Sequence, residues 1–181
     1  EAPFTLHKQV LQSIQREIAH AQAGRKARII AKMNALLDPQ VIAALYEASR
    51  AGVQIDLIVR GVCALRPGIP DCSHNIRVRS VIGRFLEHSR VYWFLNDGNS
   101  ELLCSSADWM ERNLLRRIEI CFPILDPELA GRVYDEELAN YLADNTQAWE
   151  LMADGRYRRV ERAAGVAPHS AQQILLARLC S

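Results

Sequence analysis

The sequence predicts an α/β fold, with a mixed, mostly parallel β-sheet flanked by α-helices. Three observations carry that expectation. Strand, helix and strand signals follow one another over residues 27–59. Two Asp-Pro pairs, Asp38-Pro39 and Asp126-Pro127, each open an apolar helical run. A strand–turn–strand pattern surrounds Asn96-Asp97-Gly98-Asn99.

The elements follow in order. From Phe4 to Ala23, apolar residues fall at 6, 10, 11, 14, 18 and 21, one face of a helix that Gly24 stops. Residues 27–32 read as a strand. Asp38 is an N-cap, Pro39 occupies the first helical position, and Val41, Ile42, Leu45 and Tyr46 carry the helix toward Gly52. Residues 53–59 form a β-rich run, so the two strands are expected parallel, joined by a right-handed crossover. A loop spans 61–75, with strands expected at 77–82, 91–95, 101–105 and 118–125. The second Asp-Pro helix runs to about Ala143, and residues 147–160 suit a small hairpin around Asp154-Gly155. The pattern makes residues 1–160 one domain and leaves 161–181 a tail of uncertain structure.

At 181 residues with 49% hydrophobic content, the chain can bury a core of its own. A formal net charge of +1 excludes a protein that grips nucleic acid by bulk attraction. No apolar run is long enough to span a membrane, and Glu1-Ala2-Pro3-Phe4 does not open a signal peptide. The chain lacks an initiator Met, which suggests a fragment or a processed product. Five cysteines without a C-x-x-C spacing fit a reduced, cytoplasmic setting. The small net charge hides an uneven distribution. Residues 60–90 carry a local +4 and residues 126–154 a local −7. The first is a candidate anion site; the second reads as a solvated helix face.

The chemistry-bearing candidates cluster at strand ends. His88 and Arg90 lie two apart ahead of an apolar strand, so an extended chain sets them on one face. An imidazole beside a fixed guanidinium suits phosphoryl groups: the ring attacks phosphorus or moves a proton, and the cation neutralises phosphate. Arg60 ends the strand before Gly61, where ligands of parallel sheets gather. Lys32 and Asn34 end the first strand on the same rim. Ser105 and Ser106 begin a polar run that leads to Arg112, Arg116 and Arg117. There is no G-x-x-x-x-G-K-[ST] loop, G-x-G-x-x-G fingerprint or G-x-S-x-G elbow.

Four segments together resemble one family. They are Ala31-Lys32-Met33-Asn34-Ala35-Leu36-Leu37-Asp38-Pro39, Asp56-Leu57-Ile58-Val59-Arg60-Gly61, the stretch from Asn75 through Glu87-His88-Ser89-Arg90, and Ser106-Ala107-Asp108-Trp109-Met110. The family is the bacterial polyphosphate kinases with phospholipase-D-like catalytic domains, and the likeness is to the last of those domains. The resemblance implies a phospholipase-D-like fold and reversible transfer of the ATP terminal phosphate to inorganic polyphosphate, with Mg²⁺ bound mainly by an upstream domain. It implies a phosphohistidine in an upstream half, with this half supplying His88, Arg60 and Arg117; the strand-end reading adds Arg90, Lys32 and Asn34 as phosphate-binding candidates around them. It further implies ATP, ADP, polyphosphate and the remaining domains of the same enzyme as partners, a homo-oligomer, no nucleic acid, and a cytoplasmic enzyme peripheral to the inner membrane. Phospholipase-D-like enzymes usually carry His-x-Lys where this chain has His88-Ser89-Arg90. Two other readings stand beside this one: a half-site of another phospholipase-D-like phosphodiesterase, and a non-catalytic polyphosphate-binding or oligomerisation module. Arg90 and the Arg60 site argue against the former.

Overall fold

The computed structural model describes residues 5–180. Phe4, where the sequence pattern begins the first helix, lies outside the described residues with Glu1, Ala2, Pro3 and Ser181. Helix α1 spans Leu6–Gln22 and buries Leu6, Val10, Ile14 and Ile18, the face set by their helical spacing. Strand β1 is Arg28–Met33, helix α2 Pro39–Arg50, and strand β2 Gln54–Val59. Asp38 caps α2 as its sequence suggests, accepting from the backbone N–H of Gln40 (3.1 Å) and Val41 (2.9 Å). Strands β3 (Ile76–Val81), β4 (Arg90–Phe94) and β5 (Glu101–Ser105) follow. Between β4 and β5 the chain turns through one short 3₁₀ segment in which Asn96, Asp97 and Gly98 all take positive φ. Asn, Asp and Gly tolerate that region best.

Strand β6 is only Cys121–Pro123, shorter than the apolar run from Ile118 to Leu125 suggests. Ile118 and Ile120 point into solvent, 90% and 61% exposed, so their apolar character marks no strand interior. Helix α3 is Pro127–Tyr134, capped by Asp126, and it continues through a π-helical turn, Asp135–Ala139, into the short α4, Asn140–Leu142. Strands β7 (Ala148–Leu151) and β8 (Tyr157–Arg159) form the expected hairpin. Helix α5 is Ala171–Leu179.

The eight strands form one sheet in the order β6-β5-β4-β1-β2-β3-β7-β8. The expectation of a mostly parallel sheet needs correction. Only β1–β2 and β2–β3 are parallel, and every other pair is antiparallel. The reason is connectivity. Parallel neighbours need a long crossover. Helix α2 and the 61–75 loop provide one each, whereas short turns join β4 to β5 and β7 to β8.

Helices cover both faces of the sheet. On one, Ile29, Ala31, Met33, Ile55, Leu57 and Val59 pack against α1 and α2. On the other, Ile30, Ile58, Val81 and Val91 meet Leu138, Tyr141 and Ala171. The central strands are buried on both sides and therefore read as unbroken apolar runs. Three cysteines and two tyrosines share this interior. Burial pushes the thiols of Cys63, Cys104 and Cys121, and the phenols of Tyr92 and Tyr141, above their ordinary pKa values.

Two outcomes are expected. Asp38→Ala removes a buried cap and should cost about 1–2 kcal/mol in urea unfolding. The buried thiols and phenols are neutral in the folded and unfolded states below about pH 8.5; above it the unfolded chain ionises first. Stability is therefore intact below that pH and is lost as pH rises through the raised folded-state values. Thermal melts from roughly pH 7 to 11 should show Tm falling on the alkaline side, and a flat Tm would contradict this origin.

Candidate functional site

Because β4 runs antiparallel to β1, its first residues lie beside the last residues of β1, with Val91 opposite Lys32. The carboxyl ends of β1, β2 and β3 and the start of β4 thus share one edge of the sheet. Three loops meet there. The backbone after β1 sits between the other two: Leu36 N–H donates to Val62 O (2.9 Å), and Leu37 N–H to Trp109 O (2.8 Å).

Asp108 ties this edge together. Its carboxylate accepts from the backbone N–H of Asn34 (2.7 Å) and from Arg90 through Nε and Nη2 (both 3.1 Å). The Arg90–Asp108 pair is nearly buried, with side chains 11% and 10% exposed. A two-pronged guanidinium–carboxylate pair fixes direction as well as charge. The remaining Arg90 nitrogen, Nη1, lies 2.9 Å from His88 O and 3.2 Å from His88 Nδ1. A guanidinium can only donate, so Nδ1 is the acceptor and the ring proton sits on Nε2. His88 is exposed and presents Nε2–H as a donor. The pairing of His88 with Arg90 expected from their spacing is present.

Arg60 donates from Nε to Asn34 Oδ1 (3.0 Å), and neither terminal nitrogen has a partner among the described residues. Asn34 is 8% exposed, and its Nδ2 is buried with no partner among the described residues. Gly61 permits this approach. A Cβ there would lie 2.8 Å from the Asn34 carbonyl oxygen, to which Gly61 N–H donates at 2.8 Å.

Lys32 is withdrawn into a small cavity that Arg60, Glu87, Ser89 and Tyr141 also line. It is 2% exposed, and its Nζ donates to Glu87 (2.9 Å) and Glu137 (2.8 Å) over the Tyr141 ring. Two carboxylates neutralise it. Burial and the Glu87 hydrogen bond push the Tyr141 phenol up, so it stays a donor to Glu87 (2.8 Å). The acidic stretch read as solvated therefore sends Glu137 inward from the π-helical turn. Arg117 stands apart as well. It follows a second π-helical turn, Arg112–Arg116, and lines an open groove with Leu37, Pro39, Met110 and Arg112. Among the described residues, neither Arg60 nor Arg117 forms an ion pair, whereas Lys32 and Arg90 both do.

Sequence reasoning gave Asp108, Glu137 and Gln172 no role, and it missed Glu119, whose buried carboxylate accepts from Ser106 Oγ and Asn113 Nδ2. Only Asp108 carried a signal, as the polar residue of a Ser-Ala-Asp-Trp motif after a strand. Trp109 is fully buried against Tyr92 (ring centroids 4.9 Å apart), a core aromatic as its context suggests.

Another opening lies at the far end of the strands, around Arg28, Asp56, Arg77 and Arg79. There Arg28 (2.7 Å) and Arg77 (3.0 Å) already neutralise the buried Asp56. It is remote from the Asn34–Arg60–His88 edge. A magnesium ion is a poor fit to the edge itself. Asp108, Glu87 and Glu137 are engaged by Arg90 and Lys32, and among the described residues no three His, Cys, Asp or Glu side chains converge for a metal.

The family model described as polyphosphate kinase C-terminal domain 2 matches residues 1–172. The chain is 65% identical over 176 residues to a polyphosphate kinase of Xylella fastidiosa (strain 9a5c), covering 97% of this chain and 25% of that protein. It is 58% identical over 181 residues to one of Burkholderia multivorans, covering 100% and 26%. The chain thus spans about a quarter of the length of these relatives. A crystal structure of polyphosphate kinase from Porphyromonas gingivalis superposes with a TM-score of 0.91 at 40% identity, over 97% of this chain and 26% of that one. Nuc from Salmonella typhimurium, a phospholipase D family member, matches with a TM-score of 0.50 at 16% identity, over 71% of this chain and 82% of that one, a likeness of fold alone.

The Asp108 geometry has a measurable consequence. Asp108→Ala strands a nearly buried guanidinium and a backbone N–H, and should cost about 3–5 kcal/mol in chemical denaturation. Asp108→Asn, which keeps an acceptor for Asn34 N–H, should cost less. Equal losses would place the whole effect in the charge pairing with Arg90 and none in the bond from Asn34 N–H; an unchanged stability in Asp108→Asn would show that the charge of the pair carries no weight.

Proposed function

The chain belongs to the polyphosphate kinase C-terminal domain 2 family, and from that premise we propose that it forms the phosphate-gripping half of a polyphosphate kinase active site. In this reading the whole enzyme moves the terminal phosphate of ATP to a histidine in an upstream half and releases ADP. The end of a polyphosphate chain then attacks that phosphorus and frees the histidine, and the sequence runs in both directions. This chain contributes no nucleophile. It contributes donors.

The observation that carries the proposal is the division of charge along the rim. Arg60 is oriented by Asn34 through Nε and keeps its terminal nitrogens for a ligand, with Asn34 Nδ2 beside it. Paired donors of this kind match phosphate oxygens. His88, with its proton on Nε2, adds a neutral donor aimed by Arg90. Arg117 extends the positive rim along the adjacent groove. Together these groups bind the charge that develops on transferring phosphoryl oxygens.

His88 serves as a phosphate ligand in this arrangement. To act as general acid toward ADP it would first take up a proton at Nδ1, which breaks the contact with Arg90 Nη1. Arg90 then aims the ring rather than neutralising phosphate, because Asp108 already compensates its charge. Lys32 supports the same edge from below.

The proposal also places magnesium with the upstream domain, the remaining domains and a second copy of the enzyme as partners, and the enzyme in the cytoplasm, peripheral to the inner membrane. No helix among the described residues is long and apolar enough to cross a membrane. Phospholipase-D-like phosphodiesterase chemistry is the weaker reading, because the cation two residues after His88 is already bound to a carboxylate.

The test uses the full-length enzyme. Arg60→Ala should raise the ATP KM by about tenfold or more, the worth of a charged hydrogen bond. His88→Gln should lower kcat while leaving an acidic limb of the pH profile like that of the wild type. Loss of that limb would make His88 the acid. Appreciable polyphosphate synthesis by the 181-residue chain alone, abolished by His88→Ala, would overturn the proposal.

A further inference from the structure

His88 lies on a segment that the sheet does not hold. Strand β3 ends at Val81 and β4 begins at Arg90, and residues 82–89 between them form no strand or helix. Backbone groups in such a segment need other partners. Ile82 N–H donates to Gln147 O (3.4 Å), His88 O accepts from Arg90, and at Phe85 one side chain supplies both partners. Gln172, in the first turn of α5, is 5% exposed. Its Oε1 accepts from Phe85 N–H (3.0 Å), and its Nε2 donates to Phe85 O (2.8 Å). The primary amide thus pairs with a backbone residue at two points, as a neighbouring strand would. Nε2 also donates to Glu87 Oε1 (2.6 Å), so both of its hydrogens are used.

Resting on the phosphate-binding reading above, we propose that Gln172 is a positioning residue for His88, fixing the 85–89 segment so that the imidazole faces the rim. The alternation of an extended chain carries the link. Glu87 and Ser89 point down, to Lys32 and Gln172 and to Glu137 respectively, with Ser89 Oγ 2.6 Å from Glu137. His88 and Arg90 point up, to one another and to Asp108. Holding Glu87 below therefore sets the direction of His88 above.

Gly83 supports this independently. A Cβ there would lie 2.3 Å from Gln172 Oε1, so the glycine makes room for the amide. Helix α5 has other anchors. Ala171 N–H donates to Asp144 (2.8 Å), and Asn140 Nδ2 donates to Ala171 O (3.0 Å). Loss of the Gln172 amide leaves both in place.

The chemistry asks for an amide and not a carboxylate. A glutamate at 172 would lose the donor to Phe85 O and set a second negative charge against Glu87. The charged and titratable groups around that position include Glu87, Lys32, Glu137, the Tyr141 hydroxyl and the buried Asp144 that accepts from Ala171 N–H. Lys32 is already shared between the two glutamates.

The experiment compares Gln172→Ala and Gln172→Glu in the full-length enzyme that carries this domain. Gln172→Ala should lower kcat by about tenfold with the ATP KM changed less than about twofold, since Arg60 is untouched. Gln172→Glu should be weaker still at alkaline pH and recover as pH falls, because the protonated acid regains the donor; the wild type should show no such recovery. Nitrogen-15 NMR of the His88 ring, assigned by its loss in His88→Gln, should report the Nε2–H form in the wild type and tautomer averaging in Gln172→Ala. Wild-type kcat together with an unchanged His88 signal in Gln172→Ala would overturn the proposal. If that variant fails to fold, the pH profile of Gln172→Glu decides, and a profile parallel to wild type overturns it. The NMR comparison stands whether or not the enzyme makes polyphosphate, so failure of the functional reading is distinguished from failure of this one.

Discussion

One carboxylate organises the working edge of this domain. Asp108 accepts at once from the backbone after β1 and from two nitrogens of Arg90 at the start of β4. Three loops from distant parts of the chain are brought to one point by those bonds. The pair is nearly dry, so each partner needs the other: a buried charge without compensation is far more costly than the pair itself. Arg90, once held, orients the His88 ring and selects its tautomer. Asn34, once held, orients Arg60. His88 and Arg60, the two groups to which the proposal gives the ligand, therefore hang from a single acidic residue.

Around that centre the fold sorts its cations. Arg90 and Lys32 are compensated by carboxylates and act inside the structure. Arg60, partly buried, and Arg117, exposed, have no ion pair among the described residues. The sorting has a physical basis. A half-exposed arginine keeps its hydration and gains little from a surface partner. A fully buried lysine does not survive without one. Both π-helical turns contribute, one delivering Glu137 to Lys32 and the other preceding Arg117. Such turns recur at functional sites because they turn a side chain off the regular helical face.

Much of the fold is legible in the sequence. The Asp-Pro caps, the spacing of apolar residues in α1 and the turn at Asn96–Gly98 are local signals, and each has its counterpart in the structure. The apolar runs of β1 and β2 are continuous because both faces are covered. The sheet's parallel content was misjudged because β4 returns to the far side of β1, a choice that no local pattern encodes. Ile118–Leu125 misled for another reason: apolar composition resembles a strand whether or not the residues are buried.

The site divides in the same way. His88 with Arg90, and Arg60 before Gly61, are readable because their partners lie within two residues or their place follows from a strand end. The roles of Asp108, Glu137 and Gln172 are not, since their nearest partners lie 18, 48 and 85 residues away. Sequence by itself determined most of the elements before residue 161 and which side chains are candidates for phosphate binding, because capping, periodicity and side-chain type act over a few residues. Tertiary structure alone decided which cations are ion-paired, which way His88 faces and what fixes its segment, because charge compensation and backbone satisfaction depend on groups that only the folded chain brings together.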